Sequence, residues 1–345
     1  MAAGGAVRLR ELAAVMKVLI TGGAGFVGRA FTRRLADDGH LVIIVDDLST
    51  GLERWKWVVQ PKNLFGFQFT AMDCRQWFKH NVASEFDLVI HCAAVVGGRL
   101  NIEGDPLGVA ADLAIDSDLF NWCTQSKTMP RVIYFSSSAA YPVELQTRDN
   151  NCDLVETYLH FDGTRVGMPD MTYGWSKLSG EYLAKIAAER YGLDVKVYRP
   201  FGGYGEDQDM TYPFPSIIRR VLRREDPITV WGSGDQQRDF IHVDDIVEAV
   251  LQTMDPLPAG EPLNLGTGRG VSFRDLAAMA HTQFGGPTST CNIVNDSTKP
   301  EGVFRRVADT YKLLQYYRPK ITLEEGIDRV GRHLKKALDG AEALV

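Results

Sequence analysis

A glycine-rich segment near the start of the chain constrains the fold more than any other feature. Gly22, Gly25 and Gly28 are each separated by two residues, after the apolar run 18–21 and before a helical pattern over 28–38. Glycine at these positions permits a tight strand-to-helix turn and lets the backbone approach a pyrophosphate closely. The sequence therefore predicts a dinucleotide-binding turn at residues 22–28.

Strand-like and helical patterns alternate from residue 17 to about residue 198. Apolar strand-like runs occupy 18–21, 41–45, 67–72, 88–91, 132–135 and 195–198, and the helical patterns between them include 113–125 and 174–191. Such alternation is typical of a parallel sheet with helices on both faces. We therefore predict an α/β fold built on a Rossmann-type doubly wound parallel sheet.

An acidic residue after the second strand favours NAD over NADP as the cofactor. Asp46 follows Gly22 by 24 residues, where a carboxylate accepts hydrogen bonds from ribose hydroxyls and repels a 2'-phosphate. The alternative that Asp46 is only a turn residue stays open. The residues expected to contact the cofactor around this strand edge are Gly22, Gly25, Phe26, Val27, Asp46, Asp73, Cys74, Ala93 and Ala94.

A tyrosine and a lysine four residues apart indicate the chemistry. Tyr173 and Lys177 fall in the helical pattern 174–191 or at its edge, so their side chains share one face. An ammonium group there lowers the pKa of the phenol and makes it a usable base. Since a bound dinucleotide supplies a hydride acceptor, the two motifs together predict a nicotinamide-dependent redox enzyme.

The second half of the chain has a looser pattern. Strand-like segments at 228–230 and 262–265 alternate with helical patterns near 214–224, 243–254, 272–284 and 323–338. We predict an NAD-binding domain over residues 17–200, to which some later segments return, and a smaller, mainly substrate-binding domain over residues 201–340. Residues 1–16 are expected to form a short extension.

The motifs along residues 17–334 resemble the extended short-chain dehydrogenase/reductase family that modifies nucleotide sugars. Residues 136–142, SSSAAYP, resemble its catalytic hydroxyl loop, and Tyr173 with Lys177 resembles its YxxxK pair. The resemblance implies that Tyr173 is the base, that Ser137 holds the sugar oxygen, and that Lys177 also binds the nicotinamide ribose. It further implies a homodimer.

Two arginines stand in segments that resemble the substrate-binding parts of this family. Arg238 begins the stretch RDFIHVDD and Arg306 lies within 300–309, and the resemblance implies that both bind the nucleotide diphosphate through charge-assisted hydrogen bonds. A surface ion pair is the alternative for either arginine. The residues expected to contact substrate are Gly97, Gly98, Ser137, Ser138, Tyr212, Arg238 and Arg306.

Short segments at 95–98 and 300–309, together with Pro142, resemble the branch that contains GDP-mannose 3,5-epimerase and GDP-fucose synthase, and they favour a GDP-hexose substrate. The catalytic cysteine of that branch is replaced by Ala139. Inversion at C3 or C5 needs an acid and a base on opposite faces of the ring, for which Tyr212, Cys152 and His160 are candidates. Inversion at C4 needs no such pair.

Elimination favours an epimerase among the reactions of this family. Ser138-Ala139 lacks the acidic residue that a dehydratase or decarboxylase of the family carries after the catalytic hydroxyl, and Asp46 argues against a reductase that consumes NADPH. We therefore expect an NAD-dependent nucleotide-sugar epimerase. A UDP-sugar 4-epimerase acting on UDP-glucose or UDP-glucuronate, and a non-catalytic NAD-binding sensor or scaffold, stay open as alternatives.

Composition limits the other partners. The net charge of -6 gives no general attraction to nucleic acid or anionic membranes. The five cysteines are odd in number and lack zinc-ligand spacing, which is typical of reduced cytosolic thiols. No apolar run has the length of a bilayer span. We expect a cytoplasmic enzyme with no metal, nucleic-acid or membrane partner.

Overall fold

A computed structural model describes residues 14–57, 60–63, 66–163, 165–286 and 290–342, so most of the expected N-terminal extension lies outside the described residues. The strands are β1 Lys17–Thr21, β2 Leu41–Asp46, β3 Phe67–Ala71, β4 Leu88–His91, β5 Arg131–Phe135, β6 Val195–Pro200, β7 Ile228–Trp231, β8 Gln237–Asp239, β9 Pro262–Leu265, β10 Gly270–Ser272, β11 Ile293–Asp296 and β12 Arg305–Arg306. The α-helices are α1 Phe26–Asp37, α2 Cys74–Phe78, α3 Arg99–Gly104, α4 Pro106–Val109, α5 Asp112–Thr124, α6 Met171–Tyr191, α7 Pro213–Leu222, α8 Val243–Thr253, α9 Phe273–Phe284 and α10 Leu323–Glu342.

The central sheet has seven strands in the order β3-β2-β1-β4-β5-β6-β9, and all of its pairings are parallel. Thr21 at the end of β1 pairs with Val45 of β2 and His91 of β4. The strand order reverses at β1, and ligands of such sheets bind in the crevice outside the carboxyl ends at this point. The predicted Rossmann-type fold is confirmed.

Both faces of the sheet are buried, which explains why its strands are continuously apolar. On one face of the sheet, Val18 and Ile20 of β1 pack with residues of α1 and α8. On the other face, Leu19 packs with residues of α5 and α6. Strand β9 joins the edge beside β6 although it comes late in the chain. Because the sheet is packed on both faces, the loops that follow its strands are held in defined positions at the carboxyl edge.

A third apolar cluster contains residues of α7, α9 and α10 with β7 and part of β10. Next to it, β8 pairs with β10 in antiparallel and with β12 in parallel orientation, and the β8–β12 register sets Arg306 opposite Arg238. This separate core supports a smaller C-terminal unit. The boundary at residue 200 stays a prediction.

The long connection between β5 and α6 is packed rather than loosely polar. Leu154 and Leu159 are buried in a fourth apolar cluster, and the Leu154 N–H donates to the Val307 carbonyl at 2.8 Å. Helix α6 begins at Met171, three residues before the predicted start, because the Asp170 carbonyl accepts from the Gly174 N–H at 2.9 Å. None of the helices in the described ranges is both long and apolar enough to cross a membrane.

Candidate active site

A cavity of about 830 Å³ lies at the carboxyl ends of β1, β4 and β5 and extends toward α7 and β8. Every residue expected to contact cofactor or substrate lines it, so the fold brings both predicted sets together. Of the alternative acid/base candidates, Tyr212 lines the cavity. Cys152 and His160 are not among its described lining residues, so they lose support as acid/base groups.

The glycine turn leaves no room for a side chain at Gly22 or Gly28. Gly22 has φ +68°, and a Cβ there would lie 2.5 Å from the backbone nitrogen of Ala93. A Cβ on Gly28 would lie 2.3 Å from the Gly22 carbonyl oxygen. Helix α1 follows at once, and its N-cap residue Gly25 supplies no side-chain cap. The first amides of α1 therefore fit a pyrophosphate, which helix N-termini bind through N–H groups.

Asp46 is buried at the end of β2 and binds the glycine turn directly. Its Oδ2 accepts from the Ala24 N–H at 3.0 Å and its Oδ1 from the Leu48 N–H at 2.8 Å. Burial raises the pKa of Asp46, whereas these hydrogen bonds act to lower it. A carboxylate has about four acceptor sites, so Asp46 retains capacity for ribose hydroxyls while it holds the turn.

Asp73 and Cys74 follow β3 at the expected edge of the cavity, but their side chains have other partners. The Asp73 carboxylate accepts from the Arg75 backbone N–H at 2.8 Å and from its guanidinium at 2.6 Å. The hydrogen bond with Arg75 holds the pKa of Asp73 below its ordinary value. Burial raises the pKa of Cys74 to about 12, so Cys74 stays a neutral thiol.

Ser137, Tyr173 and Lys177 converge on the same part of the cavity, Ser137 from the loop after β5 and the other two from α6. Burial of the phenol raises the pKa of Tyr173, whereas the Lys177 charge and a hydrogen bond with Ser137 act to lower it. The expected effect of Lys177 is therefore present, while burial of the phenol acts in the opposite direction. Burial outweighs the ammonium because it disfavours any charged form.

Lys177 is 3% exposed and lies between two aromatic rings. Its ammonium is 5.5 Å from the centroid of the Tyr134 ring and 5.8 Å from that of Tyr173. Burial alone would lower the pKa of Lys177, but Asp116, together with Tyr173 and Asp112, raises it. Lys177 is therefore cationic and able to stabilise a phenolate.

Asp112 and Asp116 were not predicted from the sequence as residues of the site, although they lie four residues apart on α5. Asp116 is 1% exposed; it accepts from the Tyr134 hydroxyl at 2.6 Å and pairs with His91 Nε2 at 3.2 Å. Asp112 accepts from the Val95 N–H at 2.6 Å. Two acids spaced i, i+4, and therefore on one face of α5, were the available signal.

Arg238 and Arg306 lie side by side, as the β8–β12 register requires. Arg306 donates to the Asp170 carboxylate at 2.8 Å and to Gln146 Oε1 at 2.7 Å. Burial of the Arg238 guanidinium, followed by the nearby charge of Arg306, lowers the pKa of Arg238 to about 9. Such an arrangement is unfavourable until an anion approaches.

A third arginine completes this cluster. Arg99, the first residue of α3, lies 3.6 Å from the Asp170 carboxylate. A Cβ on Gly302 would lie 2.8 Å from Arg99 Nη1 and 3.5 Å from Arg238 Nη2, which places both guanidinium groups around one point. The side-chain exposure of Arg306 is 13%. Arg306 does form an ion pair, but at the cavity wall rather than on the outer surface.

The position of the branch cysteine is closed to acid/base chemistry. Ala139 is buried and has no titratable group. Tyr212 lines the same cavity, and burial, followed by the charge of a Tyr173 phenolate, raises the pKa of the Tyr212 phenol. A Cβ on Gly98 would lie 2.5 Å from the Thr211 carbonyl oxygen, so the Tyr212 loop packs on the Gly97-Gly98 segment.

Comparison with known families agrees with this geometry. The model of the NAD dependent epimerase/dehydratase family matches residues 18–266. The chain belongs to this family. Both the resemblance seen in the sequence and the enzymatic class are confirmed, and NAD is the cofactor of the family.

Relatives of known name align with more than nine-tenths of the chain. A putative UDP-glucose 4-epimerase from Methanocaldococcus jannaschii is 27% identical over 92% of this chain and 98% of its own. A putative GDP-L-fucose synthase from Oryza sativa subsp. japonica is 26% identical over 95% of this chain and 89% of its own. The structure of Thermus thermophilus UDP-glucose 4-epimerase in complex with NAD has a TM-score of 0.74 at 26% identity, covering 93% of this chain and 100% of the other.

Proposed function

We propose that this member of the epimerase/dehydratase family is an NAD-dependent nucleotide-sugar epimerase that oxidises C4 of the sugar transiently and inverts that carbon. The observation that supports this best is one cavity lined by the glycine turn, Ser137, Tyr173 and Lys177. Ser138 and Ala139 follow Ser137 without an acidic group. Such a site can remove and restore a C4 hydrogen but lacks the acid that elimination or decarboxylation requires at this position.

The chain's own residues handle the proton of the C4 hydroxyl. When bound, NAD supplies the hydride acceptor and later the hydride donor. Tyr173 as phenolate accepts the O4 proton while the O–H electron pair forms the C4 carbonyl and the C4 hydrogen leaves as hydride. Ser137 donates a hydrogen bond to the same oxygen, and Lys177 stabilises the phenolate. Tyr173 returns its proton to O4 when the hydride returns to the other face of C4.

The arginine cluster supports a nucleotide diphosphate as the anchoring part of the substrate. Arg99, Arg238 and Arg306 line the cavity beside Asp170, and guanidinium groups bind diphosphate oxygens through charge-assisted hydrogen bonds. We propose a GDP-hexose of the GDP-mannose type, from the segments 95–98 and 300–309. The relative named as a putative UDP-glucose 4-epimerase supports a UDP-sugar as the second candidate.

The place of Tyr212 supports a second candidate reaction. Its phenol shares the cavity with Tyr173, and a second acid/base group is what inversion at C3 or C5 requires. Inversion at C4 is the first proposal, because inversion at C3 or C5 needs an acid and a base on opposite faces of the ring, and Ala139 cannot supply either group. The C4 reaction needs only Ser137, Tyr173 and Lys177.

We also propose a cytoplasmic homodimer. Leu107, Leu113, Trp175 and Tyr182, on α4, α5 and α6, are exposed although apolar, and such side chains on adjacent helices are typical of subunit contacts. The five cysteines are free thiols. Free thiols support a reducing compartment.

The test is turnover of defined nucleotide sugars. Purified protein with NAD is incubated separately with GDP-mannose, UDP-glucose and UDP-glucuronate, and proton NMR follows the appearance of an epimer. We expect one epimer from the wild type and none from Tyr173→Phe, which should still bind NAD. Bound NAD without turnover of any sugar would support the sensor or scaffold alternative instead, and full activity of Tyr173→Phe would refute the assigned base.

A further inference from the structure

Asp170 lies between the arginine cluster and the helix that carries the base. Its side chain is 9% exposed and contacts Arg306 at 2.8 Å and Arg99 at 3.6 Å. Burial alone would raise the pKa of Asp170, but Arg306, Arg99 and Arg238 hold it below the ordinary value. Asp170 is also the N-cap residue of α6, three residues before Tyr173. One residue therefore contacts both the anion-binding groups and the start of the catalytic helix.

The backbone around Asp170 is fitted against the serine loop. The Asp170 N–H donates to the Ala139 carbonyl at 2.9 Å, and the Asp170 carbonyl accepts from the Gly174 N–H at 2.9 Å. A Cβ on Gly174 would lie 2.4 Å from the Ala139 oxygen. With so little space, a displacement of Asp170 changes the separation of Tyr173 from Ser137.

One of the two residues between Asp170 and the base has a strained backbone. Met171 has φ +58°, and Leu48 and Arg224 are the other non-glycine residues with positive φ in the described part of the chain. A long side chain rarely adopts this conformation, which persists only where the surroundings hold it in place. Here the ion pairs of Asp170 on one side and the first turn of α6 on the other supply that support.

We propose that Asp170 is a positioning residue, which couples binding of a substrate diphosphate at Arg99, Arg238 and Arg306 to the placement of Tyr173 beside Ser137. This inference rests on the proposed function. Three guanidinium groups lie beside Asp170, and guanidinium groups bind diphosphate oxygens through charge-assisted hydrogen bonds. Asp170 and the diphosphate share the same arginines, so the bound anion acts on the helix start through Asp170.

The first test is Asp170→Asn in the NAD-loaded enzyme. Calorimetry measures binding of the probes UDP and GDP, and NMR measures kcat with the nucleotide sugar that the wild type converts. Removing a negative charge beside the anion should tighten binding of the preferred diphosphate several-fold. Loss of the ion pairs should lower kcat by about 10- to 100-fold, since small misplacements of reacting groups have effects of this size. A merely structural role predicts that affinity and kcat fall together.

A second variant keeps the test decisive if Asp170→Asn folds poorly. Glycine adopts φ +58° without strain, so Met171→Gly should fold and leave the charges unchanged. Because glycine also permits many other conformations, it loosens the backbone between Asp170 and Tyr173. Met171→Gly should therefore lower kcat without changing the dissociation constant of UDP or GDP. Asp153→Asn is the matched control, because Asp153 pairs with Arg305 on the outer side of β12; it should leave both quantities unchanged.

The outcomes separate this inference from the proposed function. If the wild type binds neither UDP nor GDP and converts no nucleotide sugar, the proposed function fails, and this inference with it. If the wild type binds and converts one of them while Asp170→Asn and Met171→Gly keep full kcat, the positioning role alone is overturned. A joint loss of affinity and kcat in Asp170→Asn, with full kcat in Met171→Gly, also overturns it.

Discussion

The Asp46 carboxylate lies 3.0 Å from the backbone nitrogen of Ala24, so the residue expected to bind the cofactor ribose also holds the glycine turn. Its other oxygen binds the Leu48 N–H at 2.8 Å. Loss of this carboxylate should therefore remove the proposed ribose acceptor, the charge that repels a 2'-phosphate, and a hydrogen bond that supports the turn. The cofactor site and its scaffold depend on one side chain.

Asp46→Ala should weaken NAD binding by about 10- to 100-fold, because hydrogen bonds to a charged group contribute about 1.5–3 kcal/mol. Discrimination against NADP should fall as well. Titration of both dinucleotides by calorimetry measures the two effects. Asp87→Ala is the control, since Asp87 also accepts a backbone N–H, from Lys17 at 2.7 Å, but before β4. Unchanged discrimination in Asp46→Ala would refute the assignment.

Gly22→Ala should abolish NAD binding and destabilise the fold, because the new Cβ would meet the Ala93 backbone at 2.5 Å. Gly192→Ala is a close control: Gly192 has φ +73°, near the +68° of Gly22, and nothing within 4 Å of its Cβ position. Left-handed backbone alone costs about 1–2 kcal/mol. Denaturant unfolding should show a larger loss for Gly22→Ala, and equal losses would contradict the close-contact explanation.

Two substitutions should move the pH dependence of kcat in opposite directions. Burial raises the pKa of Tyr173 in every variant, the Lys177 charge lowers it, and Asp116 raises it. Activity requires the phenolate and so rises as pH passes this pKa. Lys177→Met should shift the rising limb to higher pH, and Asp116→Asn should shift it to lower pH. Profiles of kcat at saturating NAD measure both, and shifts in one common direction would contradict the electrostatic account.

Glu206 should stabilise the fold in a pH-dependent way. It pairs with His242 at 3.2 Å and Arg329 at 2.7 Å. Burial raises its pKa, but the hydrogen bond and charge of His242, with Arg329, lower the pKa to about 2. Because the folded pKa is below the ordinary 4.5, this stabilisation is complete above pH 4.5 and is lost as pH falls through about 2.

Glu206→Gln should therefore lower the free energy of unfolding by about 2 kcal/mol at pH 7, after allowance for solvent screening. The difference from wild type should shrink steadily below pH 4. Glu261→Gln removes the partner of Lys312 in an exposed pair and should change little at any pH. A difference between Glu206→Gln and wild type that is constant from pH 7 to pH 3 would contradict the linkage.

Local spacing was enough to predict the glycine turn and the Tyr173–Lys177 pair that line one cavity. Gly22 with Asp46, and Tyr173 with Lys177, are related by strand and helix geometry that hardly depends on the rest of the chain. Two of the three arginines of the cluster, Arg238 and Arg306, were predicted, whereas Arg99 joins them only through tertiary packing. A segment of two residues such as β12 has no periodicity to recognise.

The effect of burial on the Tyr173 pKa could not be predicted from the sequence for a related reason. The sequence shows that Lys177 is close, but the burial of the phenol depends on how α6, the serine loop and the Tyr212 loop pack together. Burial is the larger effect on Tyr173. Electrostatic effects of neighbours can be predicted from spacing, whereas desolvation requires the three-dimensional structure.

The most direct test of the central claim is NMR of the sugar carbons after turnover in deuterated water, with NAD and the nucleotide sugar that the protein converts. Because the C4 hydrogen leaves and returns as hydride, we predict a C4-inverted product with no deuterium on any carbon. Deuterium at C3 or C5 would contradict this account, since it would show proton removal beside a C4 ketone and direct attention to Tyr212.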